Sequence, residues 1–142
     1  MKDCQIKINN KKDINDFINT LSKKLSAPCC ICLIGPLGVG KTYFSKRLIK
    51  KLCGPKINVN SPTFSLVNVY EKLATNLQIW HVDLYRINNE EEIIELGLEE
   101  ALQKHIVIIE WANRLNKLYP QNAITIELAF TENNKRTLTL KS

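Results

Sequence analysis

Cys29-Cys30-Ile31-Cys32-Leu33-Ile34-Gly35-Pro36-Leu37-Gly38-Val39-Gly40-Lys41-Thr42 is the stretch on which the reading of this chain turns. Its last eight residues match G-x-x-x-x-G-K-[ST], the phosphate loop. The apolar run before them reads as a buried strand, and Tyr43–Lys50 after them has helical spacing. Strand, glycine loop and helix in that order are the context this motif needs to hold a nucleoside triphosphate. Glycine lets the backbone N–H groups of Gly35, Gly38, Val39 and Gly40 turn inward around phosphate oxygens, and the helix points its positive end at the same anion. Lys41 is expected to reach the β- and γ-phosphates, and the Thr42 hydroxyl to ligate Mg²⁺.

Working outward, the chain of 142 residues reads as one domain, 1–142, with a single core. Its 44% hydrophobic and 24% charged content is that of an ordinary soluble globular protein. No apolar run approaches the roughly 20 residues of a membrane span. Met1–Lys7 lacks the apolar core of a secretion signal, so a cytoplasmic location is expected. Cys29, Cys30 and Cys32 alternate faces along one strand and so do not converge on a zinc ion; they read as small buried hydrophobes. The net charge of +6 gathers around Lys46-Arg47, Lys50-Lys51 and Lys56, where a solvated helix face is preferred to a nucleic-acid surface.

The remaining elements place the motif in an α/β fold, a phosphate-loop NTPase-like three-layer domain with a mixed, mainly parallel sheet flanked by helices. Residues 4–8 read as an edge strand. Asp13 caps a helix whose apolar stripe is Ile14, Phe17, Ile18, Leu21 and Leu25. The loop helix stops near Cys53 at Gly54-Pro55. Residues 64–71 and 77–84 read as a hairpin, Asn88–Glu92 opens a short helix that ends at Gly97, and a second short helix runs through Leu102. His105–Glu110 is a continuous apolar strand ending in an acid, and residues 123–129 and 136–141 close the fold around a turn at Asn133-Asn134.

Triphosphate chemistry also needs an acid near the metal and a group to orient the nucleophile. Glu110 stands at the carboxyl end of a buried strand, where the crevice of such sheets opens, and reads as the metal acid. Asp83 lies in Trp80-His81-Val82-Asp83-Leu84-Tyr85-Arg86, whose alternation sets His81, Asp83 and Tyr85 on one face. It is a candidate to orient or deprotonate water, or to share Mg²⁺. His81 reads equally as a structural or a working histidine. Ser61-Pro62-Thr63 suits either a simple turn or a switch that aims Thr63 at the nucleotide. Arg86 reads as a phosphate contact or as a salt-bridge partner of Glu90–Glu92. Asn10-Lys11-Lys12-Asp13 imitates a guanine-reading motif, but it precedes the phosphate loop and no D-x-x-G follows Asp83, so a GTPase is disfavoured.

Gly35–Thr42, Ser61-Pro62-Thr63-Phe64, His81–Arg86, Glu95–Glu100 and Glu110-Trp111 occur in an order and at a spacing that resemble the TsaE (YjeE) family over nearly the whole chain. The resemblance implies ATP as the nucleotide, Mg²⁺ held by Thr42 and Glu110, a part for Asp83 in hydrolysis, and Trp111 close enough to sense the nucleotide. It also implies a weak ATPase that acts with the TsaD–TsaB pair in tRNA threonylcarbamoyladenosine formation and meets tRNA only through that complex. The chain departs from the family pattern at Pro36 and at Tyr43, which crowds or stacks at the nucleotide. A small-molecule kinase and a nucleotide-dependent binding switch are the alternatives; the kinase lacks an arginine-bearing lid here.

Overall fold

The two apolar runs of the sequence become neighbours in the computed structural model, which describes residues 1–142. Strands β2 (Cys29–Ile34) and β5 (Ile106–Glu110) pair in parallel, with Leu33 opposite Glu110. Every residue of β5 is buried, as a strand covered on both faces must be. Strand β4 (Gln78–Asp83) lies parallel on the other side of β5 and sets Asp83 level with Glu110. Strand β6 (Ile124–Phe130) lies parallel beside β2. The carboxyl ends of β2, β4 and β5 therefore open on one crevice, directly below the phosphate loop.

At the margins the pairing is antiparallel. Strand β7 (Arg136–Lys141) pairs antiparallel with β6, β1 (Cys4–Ile8) antiparallel with β7, and β3 (Val67–Glu71) antiparallel with β4. The full order is β1-β7-β6-β2-β5-β4-β3. The sheet is thus mixed as expected, with its parallel part confined to the central four strands. The reason is connection length: 72–76 and 131–135 are short turns, which join only antiparallel neighbours.

Helices α1 (Lys11–Ser22) and α2 (Lys41–Cys53) cover one face, where Ile18, Ile31, Leu33, Phe44, Leu48 and Ile126 form the larger core. Helices α3 (Glu90–Glu95) and α4 (Leu98–Lys104), with the 3-10 segment Ala112–Leu118, cover the other over Cys32, Val82, Val107 and Ile109. The helices hence flank the sheet in three layers. Cys30 and Cys32 are buried with their sulfurs 3.7 Å apart, and no cluster of three His, Cys, Asp or Glu residues stands ready to hold a metal by itself. No helix is long and apolar enough to cross a membrane.

One helix start differs from expectation. The cap of α1 is Asn10, not Asp13: Asn10 has extended backbone, and its Oδ1 accepts the Asp13 N–H at 3.1 Å. Asp13 Oδ2 in turn accepts the Asn9 N–H at 2.8 Å, so the pair forms a reciprocal cap one turn earlier. Asn10 and Asp13 are consumed by this local task, which accounts for the guanine-like motif.

Candidate functional site

The phosphate loop is clamped on the side away from the crevice. A Cβ at Gly35 would sit 2.5 Å from the Leu128 carbonyl oxygen, so β6 approaches too closely for any side chain. The Val39 side chain is fully buried in the core, and its carbonyl accepts a hydrogen bond from Arg136 Nε at 2.7 Å. Gly38 and Gly40 adopt φ of +77° and +117°, the region that favours glycine, and Gly40 caps α2 with no side chain of its own. The first N–H groups of α2 are left without a side-chain cap, the arrangement that suits an anion.

Lys41 curls back over this loop. Its Nζ donates to the carbonyls of Gly35 and Pro36 and lies 4.0 Å from the centre of the Trp111 ring. Burial pushes the Lys41 pKa below the usual lysine value, while the carboxylates of Glu110 and Asp83 oppose that shift. Trp111 itself has φ of +57°, a left-handed conformation that bulky residues rarely occupy and that occurs where a site demands it. The backbone turn after Glu110 is what brings the ring back over Lys41 and within 4.9 Å of the Tyr85 ring.

Glu110 is only 1% exposed, yet both its oxygens are partnered. Thr42 Oγ1 donates to Oε2 at 2.8 Å, and His81 Nε2 lies 2.7 Å from Oε1. His81 is completely buried and its Nδ1 has no partner. With Glu110 ionised, His81 must donate from Nε2, which holds the carboxylate facing Thr42. Asp83, also buried, accepts from Thr63 Oγ1 at 3.2 Å through Oδ2 and from the Tyr85 N–H at 2.9 Å through Oδ1.

Lys41, Thr42, Thr63, Asp83, Tyr85, Glu110 and Trp111 line one recess of about 260 Å³, and His81 stands behind Glu110 outside its lining. Of the residues read from the sequence, Gly38, Gly40, Lys41, Thr42, Tyr43, Thr63, Asp83, Glu110 and Trp111 meet there. Gly35 and Val39 build the frame of the loop instead. Arg86 does neither of the things expected of it: it forms no ion pair with Glu90–Glu92 and stacks 4.3 Å over the Phe64 ring, outside the recess. Alternation set both His81 and Tyr85 on the face of Asp83 without assigning either a role, and nothing in the sequence marked Arg136. A second recess of about 380 Å³ shares Gly38, Gly40 and Tyr43 with the first and is lined on its far side by Asn9, Asn10, Lys11 and Arg136. The donor set of Thr42, Glu110 and Asp83 is all oxygen, with two carboxylates and no complete protein cage, which fits Mg²⁺ rather than zinc or calcium.

A family model described as threonylcarbamoyl adenosine biosynthesis protein TsaE matches residues 8–138. The chain belongs to the TsaE family. Among its relatives are the proteins named tRNA threonylcarbamoyladenosine biosynthesis protein TsaE of Rickettsia prowazekii, 40% identical over 91% of this chain and 88% of that one, and of Rickettsia typhi, 38% identical over 94% and 92%. The Aquifex aeolicus protein of the same name is 31% identical over 93% of this chain and 91% of its own. The crystal structure of Bacillus subtilus YdiB superposes with a TM-score of 0.78, covering 98% of this chain and 84% of that one; at 21% identity the likeness is one of fold.

Proposed function

We propose that this TsaE family member binds ATP with Mg²⁺ and hydrolyses it slowly in the service of tRNA threonylcarbamoyladenosine biosynthesis, acting with TsaD and TsaB partners. The observation that carries the reading is the Thr42–Glu110 hydrogen bond of 2.8 Å at the head of the phosphate loop, with Asp83 level with Glu110 on the next strand. The polyphosphate lies along the N–H groups of Gly38–Thr42, and Lys41 exchanges its carbonyl partners for phosphate oxygens. Thr42 and Glu110 would hold the metal, and Asp83 stands level with Glu110 on the next strand. Mg²⁺, when bound, supplies positive charge to the phosphate oxygens and the leaving group. Asp83, anchored by Thr63 and Tyr85, orients the attacking water and takes up its proton. Trp111 covers the phosphates from the open side, and the second recess, floored by Tyr43, takes the nucleoside.

The test is phosphate release from ATP by the purified chain, alone and with the TsaD–TsaB pair, with and without Mg²⁺. Slow magnesium-dependent release that rises when the pair is added is expected. Absence of ATP binding, or a rate indifferent to the pair, refutes the assignment.

A further inference from the structure

Arg114 is a half-buried cation without a carboxylate beside it. No ion pair includes it, and its Nε is buried with no hydrogen-bond partner. Removing a guanidinium from water is costly, so other contacts must hold it in place. Its Cζ lies 5.8 Å from the centre of the Tyr85 ring and 5.9 Å from that of Trp111, within reach of a cation–π attraction to both. Its Nη1 donates to the Ile87 carbonyl at 3.2 Å, and its backbone N–H donates to the Trp111 carbonyl at 3.0 Å. One residue thus ties the turn after β5 to the segment after β4, and it does so without lining the nucleotide recess.

Both residues under the guanidinium face the site. Trp111 keeps its left-handed φ of +57° with the ring 4.0 Å from Lys41 Nζ. A bulky residue persists in that conformation only where its surroundings over-determine it. Tyr85 stacks on Trp111 at 4.9 Å and gives its backbone N–H to Asp83 Oδ1 at 2.9 Å. We infer that Arg114 is a positioning residue for ATP hydrolysis. From behind the recess it fixes the Tyr85–Trp111 ring pair, and through that pair both the indole over Lys41 and the N–H that anchors Asp83. The chemistry of the side chain suits this task. A guanidinium is flat and always charged, so it packs on aromatic rings while its in-plane donors reach a carbonyl such as that of Ile87. Lysine would supply the charge and a donor without the flat face, and methionine the apolar stem alone.

The inference rests on the ATP reading above, and its test separates the two. Arg114→Met and Arg114→Lys are made in the full chain, each also with Trp80→Phe so that Trp111 is the one remaining indole. Two quantities are read: steady-state hydrolysis of ATP–Mg²⁺, and the emission and acrylamide quenching of Trp111 in the protein without nucleotide. Arg114→Met should lower kcat about fivefold while KM for ATP stays within about twofold. Its Trp111 emission should move to the red and be quenched more strongly, and Arg114→Lys should recover part of both losses. Emission and kcat unchanged in Arg114→Met overturn the inference. So does a fall in kcat matched by an equal fall in folded fraction by circular dichroism with emission unchanged, which makes Arg114 mere packing. A lysine variant no better than the methionine one overturns the role of the cation. If the unaltered chain hydrolyses no ATP, the proposed function falls and the hydrolytic part of the inference with it, whereas a red shift in Arg114→Met would still uphold the hold on Trp111.

Discussion

The two walls of the nucleotide recess are built on different terms. The inner wall, from α2, β4 and β5, sets Lys41, Thr42 and Glu110 in front of His81; the buried carboxylate lies 2.7 Å from the buried imidazole and accepts from Thr42 Oγ1 at 2.8 Å. The outer wall, residues 61–64 and 85–86, touches the inner one through single hydrogen bonds to Asp83 and ends in exposed side chains. Moving a member of the inner wall strands a buried charge, so that wall keeps its shape. Moving the outer wall exchanges protein contacts for water at little cost. Under the proposed function, phosphate binding and chemistry fall to the first wall.

The difference can be broken most severely at Lys41. Lys41→Ala removes the only lysine lining the recess, and ATP affinity should fall about a hundredfold or more, roughly 3 kcal/mol. Isothermal titration measures it; retained affinity would show that the inner wall is not where phosphates are held. Glu110→Gln keeps the shape and the Thr42 contact but loses the charge. Single-turnover phosphate release should drop about a hundredfold while ATP still binds. A third probe attacks the frame. Gly35→Ala drives a Cβ into the Leu128 carbonyl and should destabilise the fold by about 2 kcal/mol, read as a lower thermal midpoint.

Smaller effects sharpen the contrast. His81→Phe leaves Glu110 without its inner partner, and turnover should fall about tenfold with KM for ATP little changed. His81→Gln, which retains a donor, should recover part of that rate, whereas equal loss in both variants would make His81 mere packing. Thr63→Val, on the outer wall, should cost only a few-fold in turnover, because Asp83 keeps its bond from the Tyr85 backbone. A loss as large as that of Glu110→Gln would erase the distinction between the walls.

Much of the inner wall was legible without coordinates. Gly35–Thr42 is a contiguous motif, and Glu110 ends an apolar run, so both are local signals. Asp83 was visible through alternation alone, and its level position beside Glu110 was not. His81 stayed ambiguous because alternation says which residues share a face but not whether that face is covered; α2 covers it, and the imidazole becomes a buried partner of Glu110. Arg86 was misjudged for a related reason. The acids near it in sequence belong to the start of α3, and the aromatic ring it stacks on arrives from 22 residues upstream. The cap of α1 was placed three residues late because Asn10 and Asp13 both suit a helix start, and the backbone geometry at Asn10 decides between them.

By itself the order of residues determined the phosphate loop, the apolar strands on either side of the crevice and the family, since each depends on groups that are neighbours along the chain or recur at a fixed period. Only the tertiary structure decided that His81 serves Glu110, that Trp111 folds back over Lys41, and that Phe64 and Arg86 share a surface. Those contacts join segments whose meeting depends on strand register and on a left-handed turn after β5, and neither is written in any single stretch of sequence.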